Sequence, residues 1–202
     1  MEFASLGVLF LVLGGWILRG TEQRARIALL AGVLSRYRIE RTMESLAQGY
    51  QRALGEADPQ RSAQIWETLR TAEEELCVQF TRFATDFGRT DGAATRVSRL
   101  PLWVPFALTL FPAASFDMRE ALALHARGIC RAVHESGAQP ARQRAFTISA
   151  ELYLMQHTCH WFCKSRLVAS ARMLSRHKTS YGQLLDAVLP QTRAYYRKVV
   201  GR

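Results

Sequence analysis

The densest group of reactive side chains is the run HTCHWFC at 157–163, which sets His157, Cys159, His160 and Cys163 within seven residues. Imidazole and thiolate are the ligand types that zinc and haem iron prefer. At about 100° per residue these four donors fall on one half of a helix. Four ligands on one straight helix cannot close around a single ion, so a metal site would need donors from elsewhere, with Cys77, Cys130 and His125 as candidates. The spacing is neither the paired-cysteine hairpin of zinc ribbons nor the C-x-x-C-H of haem attachment. The plainer expectation is a core-facing helix whose thiols act as small hydrophobes, with no cofactor; zinc or haem is the alternative.

A second chemistry lies in the cations. The chain of 202 residues carries a net charge of +10, and 24 of its 27 basic residues are arginine. Residues 19–99 hold 13 basic and 11 acidic side chains, whereas residues 117–202 hold 14 and 5. The stretch 164–178 interleaves Arg166, Arg172, Arg176 and Lys178 with Leu167, Val168, Met173 and Leu174. Arg193, Arg197 and Lys198 continue the pattern beside Tyr195 and Tyr196. Such a surface suits anionic lipid headgroups or an acidic protein partner. Nucleic acid is disfavoured, since no helix-turn-helix, RNP or zinc-finger pattern accompanies the charge. Nor is there a G-x-S-x-G, P-loop, H-E-x-x-H or G-x-G-x-x-G, so a non-catalytic role is expected.

Two apolar runs must position these groups. Residues 3–18 (FASLGVLFLVLGGWIL) carry no charge and stop at Arg19. A span needs about 20 apolar residues, and a snorkelling Arg19 brings this run close to that length. Only Glu2 precedes it and no A-x-A cleavage site follows, so residues 1–20 read as an uncleaved single-pass inner-membrane anchor, not a signal peptide. Arg19, Arg24 and Arg26 behind the run place the C-terminal side in the cytoplasm. Trp16 and Arg19 are then interfacial. The second run, residues 100–116 (LPLWVPFALTLFPAASF), is also uncharged but contains Pro101, Pro105 and Pro112. These break a regular helix. The first expectation is a linker packed into the core; the second is a membrane-dipping element with Trp103 at the interface.

The remainder is helical by periodicity, with no strand-like alternation and no repeat. Ile27, Leu30, Leu34 and Tyr37 recur at helical steps, the phase slips before Met43, and Gly55 ends the stretch. A helix over about 60–87 places Glu73, Glu74 and Glu75 on its polar side. A third begins at Ser115 or Asp117. A fourth begins near Pro140 and runs to about 177, with an interruption near 163–164. Short elements flank Pro190. The expected architecture is all-α: an anchor at 1–20 and a cytoplasmic bundle of about five helices at 21–202. The bundle divides into a first helix pair (21–99), the apolar segment (100–116) and a basic half (117–202). Four cysteines in that compartment should stay reduced. The function that fits is an adaptor or scaffold that recruits a partner at the cytoplasmic face of the inner membrane. The alternative is a metal or haem redox or sensor protein built on His157, Cys159, His160 and Cys163.

Overall fold

The computed structural model describes residues 2–135 and 140–201, with side chains from residue 13 onward. The N-terminal apolar run and the basic stretch behind it form one continuous helix, α1 (Glu2–Leu34). The helical phase slip becomes a chain break at 35–38, where Tyr37 donates its hydroxyl to Asp86 at 2.7 Å and the Arg38 N–H donates to Gln79 at 2.7 Å. Then follow α2 (Ile39–Gly55) and α3 (Pro59–Phe87), the latter opened by Pro59 and by the Asp58 side chain, which accepts from Gln60 N at 2.9 Å. That is the usual chemistry of a helix start.

A two-stranded antiparallel ribbon, β1 (Arg96–Ser98) with β2 (Ser115–Asp117), pairs Val97 with Phe116 and brackets the proline-rich segment. Inside it lies a single short turn, α4 (Ala107–Leu110). The sequence pattern predicts no strand here. Three residues per strand are too few for alternation to register, and the ribbon is fixed by contacts from elsewhere. Asp117, one of the two expected caps, opens α5 (Met118–His134) by accepting from Arg119 N.

The long fourth helix divides as the interruption at 163–164 implies. α6 (Ala141–Cys163) stops, Ser165 caps α7 (Arg166–His177), and a Ser180–Gln183 capping box starts α8 (Tyr181–Ala187). Pro190 opens α9 (Pro190–Val200). Among the described residues there are nine helices where about five are expected, because breaks and one-turn pieces leave little trace in periodicity. The architecture is an all-α helical bundle.

The core is aromatic along α3: Phe80, Phe83 and Phe87 are at most 1% exposed and meet Leu122, Ile129, Ile148 and Phe162. Phe87 and Phe162 pack edge to face at 6.1 Å between centroids. Glu73 departs from the expected polar face of α3. It is 1% exposed, accepts from Tyr50 Oη at 2.9 Å and pairs with Arg144 Nε at 3.1 Å. Burial raises its pKa despite both partners. Cys77 of α3 and Cys130 of α5 form a disulfide, so this pair does not follow the expectation that all cysteines stay reduced. Facing helices bring the two together, a proximity that their separation of 53 residues conceals.

The transmembrane part of the expected architecture is not supported: among the described residues no helix is long and apolar enough to cross a membrane. The apolar run ends at Arg19, and the helix continues through Glu22, Arg24 and Arg26. The side chains of residues 3–12, most of that run, lie outside the described residues. The core-packed expectation for residues 100–116 holds only at the end of the segment, where Ser115 and Phe116 are buried. From 101 to 113 only Ala107 is buried.

Candidate functional site

Of the four reactive side chains in the second half of α6, Cys159, His160 and Cys163 line one cleft, and His157 lies apart from it. His157 is fully buried, shares a hydrogen bond with Ser170 Oγ at 3.0 Å and lies 4.7 Å from the Tyr181 ring. Burial, followed by His160 and Arg166, pushes its pKa down to about 3. One residue on, Thr158 Oγ1 donates to Leu154 O and meets both Tyr196 Oη and His125 Nε2 at 2.9 Å. His125 is likewise pushed down to about 3, by burial and then by His157. Cys159 turns its thiol toward Met155 Sδ at 3.6 Å, and burial holds it well above the ordinary thiol range.

His160 and Cys163 line the same cleft as Cys159, against α1, α2, α3 and α7. Burial, with Arg172 and Arg176, lowers the His160 pKa. Burial raises that of Cys163 in spite of Arg26, Lys164 and Arg172 nearby. Burial thus disfavours the charged form of each of these side chains, and a reactive thiolate is costly here. Among the described residues no three His, Cys, Asp or Glu side chains come together to hold a metal ion. Cys77 and Cys130, the distant donors considered for such a site, are bonded to each other.

The basic residues separate into two sets. On α7, Arg166 lies over the Trp161 ring at 5.7 Å, while Arg172, Arg176 and Lys178 are exposed. On α9, Arg193 pairs with Asp186 at 3.3 Å, and Arg197 and Lys198 are exposed.

The strongest departure from an ordinary surface is apolar. Leu102, Phe106, Leu110 and Phe111 are 57%, 65%, 62% and 50% exposed. Beside them α1 exposes Leu13, Trp16, Ile17 and Leu18. The two sets meet: Leu18 and Ala25 of α1 line a recess of about 480 Å³ with Leu102, Val104, Phe106 and Leu108. Trp103 donates its Nε1–H across that recess to Glu22 at 2.7 Å, and Arg19, next to Leu18 in the chain, is exposed. We call residues 102–111 the shelf. Phe106 also has φ = 56°, the left-handed region that a bulky residue enters at a cost of about 1–2 kcal/mol. Being largely exposed, it recovers little of that from burial.

Arginines that the sequence shows only as charge hold the shelf in place. Arg26 donates to Phe162 O and Arg96 O and pairs with Glu22 at 2.6 Å. Arg96 bonds Ser115 Oγ, and Arg99 reaches Ala113 O and Val199 O. The Leu167 N–H donates to Pro101 O, joining the shelf to the start of α7. No sequence signal separates these arginines from their solvated neighbours, because residue type is the same and the partners lie far along the chain. Compared with known proteins, the chain matches no family model, no curated protein and no solved structure, so its function rests on its own residues.

Proposed function

We propose that this protein is a membrane-bound helical adaptor. The apolar run ending at Arg19 inserts in lipid, the shelf lies against the same surface, and the bundle presents its basic helices to an acidic protein partner. The observation that carries this is the exposed apolar surface formed jointly by the base of α1 and residues 102–111. Contiguous exposed apolar area bordered by polar groups marks a membrane or protein contact. Each half-exposed Leu or Phe contributes about 1 kcal/mol when it leaves water. Trp16 and Trp103 suit the headgroup level, and Arg19 can snorkel toward it.

The bundle sits on the cytoplasmic side in this proposal. Arg19 and Arg24 act on orientation during insertion, before the bundle folds. The Cys77–Cys130 pair argues for an oxidising compartment instead. On the cytoplasmic side it would be exposed to the glutathione pool, and on the outer side it would be a permanent staple.

Reporter fusions after residues 25, 95, 135 and 202, combined with carbonate extraction of membranes, test both points. Cytoplasmic signals at all four sites and retention in the extracted membrane are expected. External signals at 95, 135 and 202 overturn the orientation. A chain released into the supernatant overturns the membrane attachment. Replacing Phe106 and Leu110 together by Asp should weaken vesicle binding at least about 10-fold.

A further inference from the structure

Helices α1, α2, α3, α6 and α7 enclose a cleft of about 400 Å³, separate from the recess under the shelf. Its floor is apolar: Leu30, Phe80, Phe83 and Met155 line it and are at most 8% exposed. Lys164, Arg172 and Arg176 line it as well, from α6 and α7. The only carboxylate among the lining residues is Glu40, which belongs to α2. Among the described residues neither Arg172 nor Arg176 has a carboxylate partner, and Lys164 donates to the Gln23 amide at 2.7 Å. His160 lines the cleft without adding charge, because burial and the two arginines hold it neutral.

This pairing of an apolar floor with surplus cations selects a class of ligand. A simple anion would leave the floor unused, and a neutral hydrocarbon would leave the cations unpaired. The volume falls in the usual range of small-molecule sites, about 300–1,000 Å³. We propose that the cleft binds a single-chain amphiphile with an anionic headgroup, of which a long-chain fatty acid carboxylate is the simplest. The chain lies on Leu30, Phe83 and Met155, and the carboxylate meets Arg172 and Arg176. A guanidinium fork matches a carboxylate better than an ammonium does.

Cys159 and Cys163 both line this cleft as free thiols; in a Cys159→Ala background, alkylation of Cys163 reports occupancy. The full chain is placed in phosphatidylcholine nanodiscs, and maleimide labelling of Cys163 is followed by mass spectrometry. The probes are dodecanoate, dodecanol, acetate and inorganic phosphate. Dodecanoate is expected to slow labelling at least about 10-fold, with the other three leaving it unchanged. The double variant Arg172→Glu, Arg176→Glu should label equally fast with and without dodecanoate. Both side chains are exposed, so this variant should keep the fold, which a thermal melt checks. Leu34→Trp, which occupies the apolar end of the cleft, gives an independent variant and should abolish the protection too. Unchanged labelling of the Cys159→Ala chain with dodecanoate, or protection retained in both further variants, overturns the proposal. Protection by phosphate or acetate alone makes the cleft a plain anion site, and protection by dodecanol makes it a plain hydrocarbon pocket. Either result overturns it. These outcomes are read from Cys163 labelling and not from vesicle binding, so failure of this proposal is distinguishable from failure of the membrane reading.

Discussion

The interior of α6 and the shelf at 102–111 invert the ordinary arrangement of a globular protein. One puts imidazole, hydroxyl and carboxyl groups where water is excluded, and the other puts Leu and Phe where water is free. The difference between them lies in partnership. His125, Thr158 and Tyr196 bond one another, as do Tyr50, Glu73 and Arg144. A buried polar group that finds its partners is near neutral in energy and specifies one arrangement of the core. Phe106 and Leu110 find no such cover among the described residues, and Phe106 is strained besides. These two buried networks are therefore largely satisfied within the fold, although the Nδ1 atoms of His125 and His157 are left without a partner. The exposed side chains of the apolar shelf, in contrast, have no cover among the described residues.

The comparison breaks most visibly at the buried ion pair. Arg144→Ala leaves the Glu73 carboxylate in the core with Tyr50 alone, and denaturant unfolding should show a loss of about 3–5 kcal/mol. A loss below about 1 kcal/mol would mean that water reaches this site and that the interior is less closed than described.

Glu151 gives a pH handle of somewhat smaller size. It is fully buried, and burial pushes its carboxyl up to about 7 against the opposing Leu189 N–H and Thr192. A folded-state pKa above the unfolded value of 4.5 contributes stability that is complete below pH 4.5 and is lost as pH rises to about 7. Glu151→Gln should remove that slope, so relative to it the native chain loses about 3 kcal/mol between those limits. His125 and His157, lowered from 6.5 to about 3, act in the opposite sense: their contribution is complete above pH 6.5 and is lost as pH falls. A parallel pH dependence of native chain and Glu151→Gln would show that the carboxyl is solvated.

Thr158→Val keeps the shape of the side chain but deprives His125 and Tyr196 of their shared partner, and should destabilise by about 1–3 kcal/mol in the same assay. The smallest effect, of opposite sign, belongs to the shelf. Phe106→Gly removes the left-handed strain and should raise stability by about 1 kcal/mol while weakening vesicle flotation. A destabilised Phe106→Gly would mean that the side chain serves the fold.

Helix positions are legible where α3, α5 and α7 carry their apolar residues at helical spacing and start at Asp or Ser. Helix α2 instead starts after Arg38 with no side-chain cap and reads as a continuation of α1. The interruption at 163–164 is legible for a different reason: an unbroken helix from near Pro140 to 177 would be unusually long. What escaped depended on long-range partners. Glu73 is one of three adjacent glutamates, and only its meeting with Arg144, 71 residues away, sets it apart. Arg26 counted as membrane-flanking charge, yet its guanidinium bonds backbone carbonyls of Phe162 and Arg96. The run at 157–163 stands out by composition, but composition alone does not show that Cys159, His160 and Cys163 share one cleft while His157 turns to Ser170. The shelf was visible as an uncharged stretch. Its exposure was not, because apolar sequence reads the same whether it faces the core or the outside.

Lys164 stands where the two hollow regions of the molecule adjoin. It lines both the recess beneath the shelf and the cationic cleft, and its ammonium bonds Gln23 of α1 between them. On the two proposals made above, a side chain shared by both cavities couples them. Whatever draws the Lys164 ammonium toward one cavity changes the charge offered to the other. By thermodynamic linkage, the factor by which an occupied cleft alters affinity for the surface equals the factor by which the surface alters affinity for the cleft.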